Sequence, residues 1–110
     1  MDIGELMKER ERREKYFKDY ASYARRIKRI AEKYFGSVKL YVFGSVVEGD
    51  YHVMLSDIDV AVVVNSYEKE KALRLKVEVE KNFGDVFQLH VLSEKEWKFY
   101  LNFVKKFVEV

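Results

Sequence analysis

FGSVVEGDYHVMLSDIDVAVVV, residues 43–64, is the stretch of the sequence that decides the fold. Its last part, residues 58–64, is almost wholly apolar and rich in β-branched side chains, which indicates a buried β-strand. Asp57 and Asp59 stand at the start of that strand. Because a buried carboxylate is costly unless something pairs with it, these acids indicate a site where a partner binds.

The two aspartates are expected to share one face of the strand, because side chains two residues apart point the same way with Cα atoms about 7 Å apart. Carboxylates that close repel each other, and one would be driven toward protonation. Mg²⁺ removes this conflict and suits a few carboxylates completed by water and phosphate. A D-x-D pair alone is more often a polar strand start with an Asx-type turn, so at this point both interpretations remain open.

The loop before this strand is the second informative feature. A predicted strand at residues 37–43 runs directly into Gly44 and Ser45, and residues 44–56 are expected to form a loop with a short helix at its start. Gly44 permits a positive φ or a close backbone approach. Ser45 could begin a helical turn whose free amides accept a phosphate, and Gly49 lets the chain leave that turn.

Composition limits the remaining possibilities. The chain has 110 residues, enough for one domain, and its formal charge of +2 gives no whole-molecule argument for nucleic-acid or membrane binding. Without cysteine, disulfides, thiolate metal sites and a cysteine nucleophile are excluded. No apolar leader or transmembrane run is found, so we expect a cytoplasmic protein. Lys/Glu enrichment without Cys suggests a thermophile source.

The flanking segments follow helical and strand patterns. Residues 5–34 predict one amphipathic helix that ends at Phe35-Gly36, with residues 8–15 (KERERREK) as a solvated part. Residues 68–82 predict a second helix, and residues 86–92 predict a third strand. The side chains of the second helix expected to face the core are Ala72, Leu75, Val79 and Phe83.

A last helix is predicted to begin at Ser93, which with Glu96 has the form of a capping box. Its apolar residues fall on two stripes. The first stripe holds Trp97, Leu101, Val104 and Val108, and the second holds Phe99, Phe103 and Phe107. So broad an apolar surface predicts either a helix wedged into the core or a surface for a partner.

The order helix, strand, loop, strand, helix, strand, helix predicts an α/β (α+β) domain, with a short mixed β-sheet and helices packed against it. We expect residues 1–110 to form this single domain, with an N-terminal helix over residues 1–35 and the α/β core over residues 36–110.

The quoted stretch resembles the signature of the minimal nucleotidyltransferase family, within the DNA polymerase β-like nucleotidyltransferase superfamily: a hydrophobic strand, GSxxxG, a loop, and SDIDxxV. The resemblance implies the nucleotidyltransferase fold and a Mg²⁺-dependent transfer of NMP, AMP from ATP, to a hydroxyl. Asp57 and Asp59 would be catalytic and would hold one or two Mg²⁺ ions. The residues implied to bind the nucleotide are Gly44, Ser45, Gly49 and Ser56.

The sequence departs from the family pattern at two places. The family usually has a third carboxylate on the neighbouring strand, where this chain has Gln88, with His90 on the same strand face. His90 could accept a proton, although a lone histidine on a half-buried strand is more often a hydrogen-bonded structural residue. Val46 and Glu48 occupy loop positions that are often basic in the family, so phosphate binding loses charge assistance.

The resemblance also implies partners. Family members pair with a helical HEPN-domain protein, often a ribonuclease toxin, and act as the antitoxin-like half of the pair. The aromatic C-terminal segment could serve such a partner or a homodimer, whereas membrane and nucleic-acid partners are not expected. The alternative is a catalytically degenerate module of the same fold, which binds nucleotide or partner without turnover.

Overall fold

The computed structural model describes residues 2–110. In chain order, the elements are α1 (Ile3–Lys18), α2 (Tyr20–Phe35), β1 (Lys39–Phe43), α3 (Ser45–Glu48), β2 (Ile58–Val64), α4 (Lys69–Phe83), β3 (Phe87–Ser93), α5 (Glu94–Tyr100) and β4 (Phe107–Glu109). These elements confirm the predicted α/β class with a mixed sheet. Within the described residues, no helix combines the length and the apolar character needed to cross a bilayer.

The sheet has the strand order β3-β2-β1-β4. β1 runs antiparallel to both β2 and β4, and β2 runs parallel to β3. Parallel neighbours need a crossover connection, which α4 provides. As a result, the last residue of β1 and the first residues of β2 and β3 lie at the same end of the sheet. Phe43 is therefore opposite Asp59, and Asp59 is beside Gln88.

The two faces of the sheet carry separate apolar clusters. On one face, Ile58, Val60 and Val62 of β2 join the main core with side chains of α2 and α4. The residues of α4 predicted to face inward, Ala72, Leu75, Val79 and Phe83, are all buried there. On the other face, Ala61 and Val63 join a smaller cluster with Trp97 of α5.

The single N-terminal helix predicted over residues 5–34 is wrong, because the chain breaks at Asp19. Asp19 has φ −123° and ψ 39°; its amide donates to the Lys15 carbonyl, and its own carbonyl accepts from Ser22 and Tyr23. The residue thus ends α1 and begins α2. Apolar residues recur at helical spacing on both sides of this break, so their period does not reveal it.

The expectation that residues 8–15 form only a solvated face is also wrong. Most of this segment is exposed, but Arg13 is buried with 6% of its surface accessible. Counting back four residues from the buried Phe17 gives Arg13, so the guanidinium lies on the stripe of α1 that faces the protein.

The predicted capping box of the last helix is confirmed: the Ser93 hydroxyl accepts from the Glu96 amide, and the Glu96 carboxylate accepts from the Ser93 amide. The helix, however, ends at Tyr100 rather than continuing to Val108. The amides of Phe103 and Val104 both donate to the Tyr100 carbonyl, which tightens the chain into a turn. Residues 107–109 then form β4, which satisfies the backbone groups along the free edge of β1.

Candidate functional site

The junction between β1 and β2 places a glycine against a carboxylate. Gly44 follows β1 with φ +85° and ψ −159°, a backbone conformation that is open essentially only to glycine. A Cβ at this position would lie 2.5 Å from Oδ2 of Asp59. Both features expected of Gly44, a positive φ and a close approach, are therefore present, and Asp59 is the group that approaches.

The other carboxylate oxygen of Asp59 contacts a histidine. Nε2 of His90, on β3, lies 3.1 Å from Oδ1 of Asp59. The imidazole ring also packs against the rings of Phe43 and Tyr100, with centroids 5.4 Å and 5.7 Å away. His90 is thus a hydrogen-bonded, half-buried residue, as the more frequent interpretation of a lone strand histidine expects, and it fixes the orientation of the Asp59 carboxylate.

Asp57 and Gln88 flank this junction. Asp57 is exposed and directly precedes β2, whereas Asp59 is half-buried within the strand. Gln88 is exposed and pairs with Asp59 in the parallel register of β2 and β3. The residue that replaces the expected third acid therefore stands on the strand next to Asp59, and it is neutral. The ligand roles of Asp57 and Asp59 stay predictions.

The remaining predicted nucleotide ligands lie in the loop between β1 and β2. Ser45 is half-buried and begins the single turn of α3, and Gly49 ends that turn with φ +86°. Ser56 is occupied within the loop itself, because its hydroxyl accepts a hydrogen bond from the His52 amide at 2.9 Å. Gly44 therefore lies against Asp59 and Ser45 follows it in the chain, while the Ser56 hydroxyl holds the loop together.

A cleft of about 370 Å³ opens beside Asp59. Its polar part consists of Gly44, Glu48 and Asp59. Its apolar wall is formed by Phe43, Phe99, Tyr100, Phe103 and Val104. An apolar cleft with a few convergent polar groups is the usual form of a small-molecule site. Glu48 thus adds a second acidic residue to the cleft that contains Asp59.

The donor set fits one Mg²⁺ ion bound together with phosphate. Among residues 2–110, no group of three or more His, Cys, Asp or Glu side chains is arranged to hold a metal ion. Mg²⁺ commonly uses one or two carboxylates and takes its other oxygens from water and a nucleotide, which Asp57 and Asp59 could accommodate. A second ion would lack the oxygen ligands that a third carboxylate supplies, since Gln88 carries no charge.

Two parts of this site differ from what the sequence predicts. The part of the aromatic wall formed by Phe99, Tyr100, Phe103 and Val104 lies in the segment for which the sequence predicts a continuous helix, and that prediction does not place these side chains beside Asp59. Arg13 lies in the segment that the sequence predicts to be solvated, but it donates to the Val53 and Ser56 carbonyls in the loop before Asp57. Its spacing of four residues from Phe17 is the signal that could have placed it inside.

Comparison with known proteins identifies the family and the fold of the chain. Residues 24–109 match the family model described as "Nucleotidyltransferase domain". The chain in one crystal structure, that of a presumed nucleotidyltransferase, is 38% identical in sequence to this chain. The two structures superpose with a TM-score of 0.66, and the match covers 80% of this chain and 97% of that one. A presumed nucleotidyltransferase from Sulfolobus solfataricus, 24% identical with a TM-score of 0.58 over 90% of this chain and 82% of its own, shares the fold. No curated protein matches the sequence significantly.

Proposed function

Because the chain belongs to the nucleotidyltransferase domain family, we propose that it transfers a nucleoside monophosphate, AMP from ATP, to a hydroxyl group on a partner protein. The observation that carries this proposal is the contact of Gly44 with the Asp59 carboxylate at the mouth of the aromatic cleft. This contact joins the two halves of the sequence signature, the glycine loop and the aspartate strand, in one place.

The nucleotide would lie with its triphosphate over Gly44 and Ser45 and its base toward the aromatic wall of the cleft. Asp57 and Asp59 would hold Mg²⁺, which when bound neutralises phosphate charge and orients the reacting phosphate. The Asp59 carboxylate is already oriented for this role, because His90 holds one oxygen and Gly44 leaves room for the other. Rings such as Phe103 can stack on a base without selecting among bases.

The proposed reaction is an in-line displacement at phosphorus. The acceptor hydroxyl oxygen forms a bond to the α-phosphorus of ATP, the bond from that phosphorus to the bridging oxygen of the β-phosphate breaks, and pyrophosphate leaves. The hydroxyl proton is lost to water. The chain's contribution is to bind and orient the nucleotide, and a helical partner of the HEPN class would supply the hydroxyl, with this chain as the antitoxin-like half of the pair.

Two observations favour a second candidate, a module that binds nucleotide and partner without turnover. Glu48 lines the cleft next to Asp59, where its charge opposes a triphosphate. Gln88 stands beside Asp59 without the charge that a second metal ion needs. The neutral Gln88 weakens turnover more than it weakens a single Mg²⁺-nucleotide complex, whereas the Glu48 charge weakens nucleotide binding and turnover alike, so slow transfer is expected even if the enzyme proposal is correct.

The test uses ATP labelled at the α- or the γ-phosphate, incubated with the protein, Mg²⁺ and a candidate helical partner. Transfer of the α-label alone supports nucleotidyl transfer, whereas transfer of the γ-label would indicate phosphorylation and contradict it. The double variant Asp57→Asn/Asp59→Asn should lose both the label transfer and the Mg²⁺-dependent ATP binding seen by calorimetry. Asp50→Asn, an exposed acid of the same loop, is the control that should retain both.

Binding without label transfer would support the module and reject the enzyme. Absence of MgATP binding in the unmodified protein would reject both proposals.

A further inference from the structure

Arg13 is a buried cation whose hydrogen bonds all lead to one loop. It is the one polar or charged side chain that is buried among residues 2–110. Its Nε donates to the Val53 carbonyl at 2.7 Å and its Nη2 donates to the Ser56 carbonyl at 2.6 Å. Nη1 lies 3.7 Å from Oδ1 of Asp85, which supplies an opposite charge. Because burying a cation is costly, these contacts must offset the cost, and both hydrogen bonds that do so go to the loop before Asp57.

The segment that Arg13 holds, residues 53–56, lies directly before Asp57. The Ser56 carbonyl, held by Arg13, directly precedes Asp57 in the chain. On the other side of Asp57, the Ile58 amide donates to the Val86 carbonyl at 2.8 Å. Asp57 therefore sits between two backbone anchors, and only the one on the Ser56 side comes from a side chain outside the sheet.

That side chain belongs to a part of the protein beyond the family match. Arg13 lies on α1 (Ile3–Lys18), whereas the match to the nucleotidyltransferase model begins at residue 24. The neighbouring Arg12 also anchors α1, but at a different place: its Nη1 donates to the Phe83 carbonyl at the end of α4 at 3.0 Å. Arg12 thus attaches α1 to the end of α4, whereas Arg13 attaches α1 to the loop before Asp57.

We propose that Arg13 is a positioning residue for Asp57, acting through the Ser56 carbonyl, so that α1 sets the geometry of the metal-binding loop. Its link to Mg²⁺ rests on the proposed function, but its effect on the loop does not. The planar guanidinium suits this task because its fork donates to two carbonyls at once, which a lysine ammonium reproduces only in part.

The experiment compares Arg13→Ala and Arg13→Lys with the control Arg12→Ala. Calorimetry with ATP gives the Mg²⁺ concentration for half-saturation, and hydrogen exchange gives the protection of the Ile58 amide relative to the Val62 amide in the middle of β2. For Arg13→Ala we expect about a tenfold or greater rise in the Mg²⁺ requirement, the usual effect of removing a group that orients a metal ligand. The Ile58 amide should exchange faster while the Val62 amide does not change.

Arg12→Ala should lower thermal stability without changing either readout, and Arg13→Lys should fall between wild type and Arg13→Ala. If Arg13→Ala does not fold, Arg13→Lys alone decides the outcome. Equal effects of Arg12→Ala and Arg13→Ala, or an unchanged Ile58 amide, would overturn the proposal. If wild type binds no MgATP, the proposed function fails, while the exchange of the Ile58 amide still decides whether Arg13 holds the loop.

Discussion

On one face of the sheet, Ile58, Val60 and Val62 are buried under α2 and α4, whereas the other face presents Asp59 beside a cleft that α5 leaves open. The residues of β2 that supply both faces alternate along seven positions of one strand. One strand therefore contributes to stability with one set of side chains and to the candidate site with the other. Substitutions on the covered face should therefore change stability without changing ligand binding, and substitutions on the cleft face should change ligand binding with little effect on stability.

The largest effect should come from the covered face. Leu75 of α4 is fully buried in the main core. Leu75→Ala should lower the free energy of unfolding by about 2–5 kcal/mol, because it loses apolar burial and leaves a cavity. Urea unfolding measures this loss, and the folded variant should keep its MgATP affinity.

Leu73, on the same helix but 61% exposed, provides the matched control. Leu73→Ala should stay within about 0.5 kcal/mol of wild type. A large loss of MgATP affinity in the folded Leu75→Ala protein would mean that the two faces are coupled.

The next prediction compares two glycines, so that the cost of backbone strain can be separated from the effect of a side chain that collides with Asp59. Gly44→Ala and Gly36→Ala both place a side chain at positive φ, so each should cost about 1–3 kcal/mol of stability. Only the Cβ at position 44 meets Asp59, since nothing lies within 4 Å of the one at position 36. Calorimetry should therefore show at least about a tenfold loss of MgATP affinity for Gly44→Ala alone. Equal affinities in the two variants would contradict the role assigned to Gly44.

A smaller effect tests the aromatic wall. Phe103 is 73% exposed and lines the cleft, so Phe103→Ala should hardly change stability. If the base stacks on this ring, ATP affinity should fall by about 5- to 150-fold, while the affinity for inorganic triphosphate with Mg²⁺ stays unchanged. Leu101→Ala, a nearby apolar residue outside the cleft lining, is the control. Parallel losses for ATP and triphosphate would place the base elsewhere.

Local sequence patterns predict the strands and the glycine turn around the candidate site better than they predict the elements at the ends of the chain, and the reason is physical. Gly44, Ser45 and the aspartate pair are constrained by local backbone geometry and by strand alternation, and both leave a pattern in adjacent residues. The strand at residues 107–109 exists because β1 has a free edge, and that edge is set by a distant part of the sequence. The helical spacing of apolar residues near the C-terminus carries no information about the unpaired edge of β1, so it does not predict this strand.

The burial of Arg13 also depends on a part of the chain that is distant in sequence. Its charge predicts a position in the solvent, whereas its distance of one helical turn from the buried Phe17 indicates the interior. The interior position prevails because two backbone carbonyls of a loop far along the chain accept its hydrogen bonds. No local pattern states where those carbonyls are, so the burial of Arg13 becomes predictable only once the loop is placed.

The smallest effect concerns an ion pair on the covered side, between α2 and α4. Hydrogen bonds from Lys33 and Tyr34 lower the pKa of Glu78. A carboxyl whose folded-state pKa lies below the unfolded value of about 4.3 stabilises the protein above that value, and the contribution is lost as the pH falls through the folded-state pKa. Glu78→Gln should therefore lower the Tm at neutral pH by a small amount, because the pair is screened by solvent.

The Tm difference between wild type and Glu78→Gln should close as the pH falls from above the unfolded value through the lowered folded-state pKa of Glu78, because wild-type Glu78 then also becomes neutral. Lys33→Met and the double variant complete a cycle in which the coupling between the two residues is present at neutral pH and absent in acid. A Tm difference that stays constant with pH would show that the substituted amide perturbs packing rather than charge. Since this pair joins the two helices on the covered face, across the sheet from the cleft, none of these variants should alter MgATP binding, which would keep the two faces independent even for charged groups.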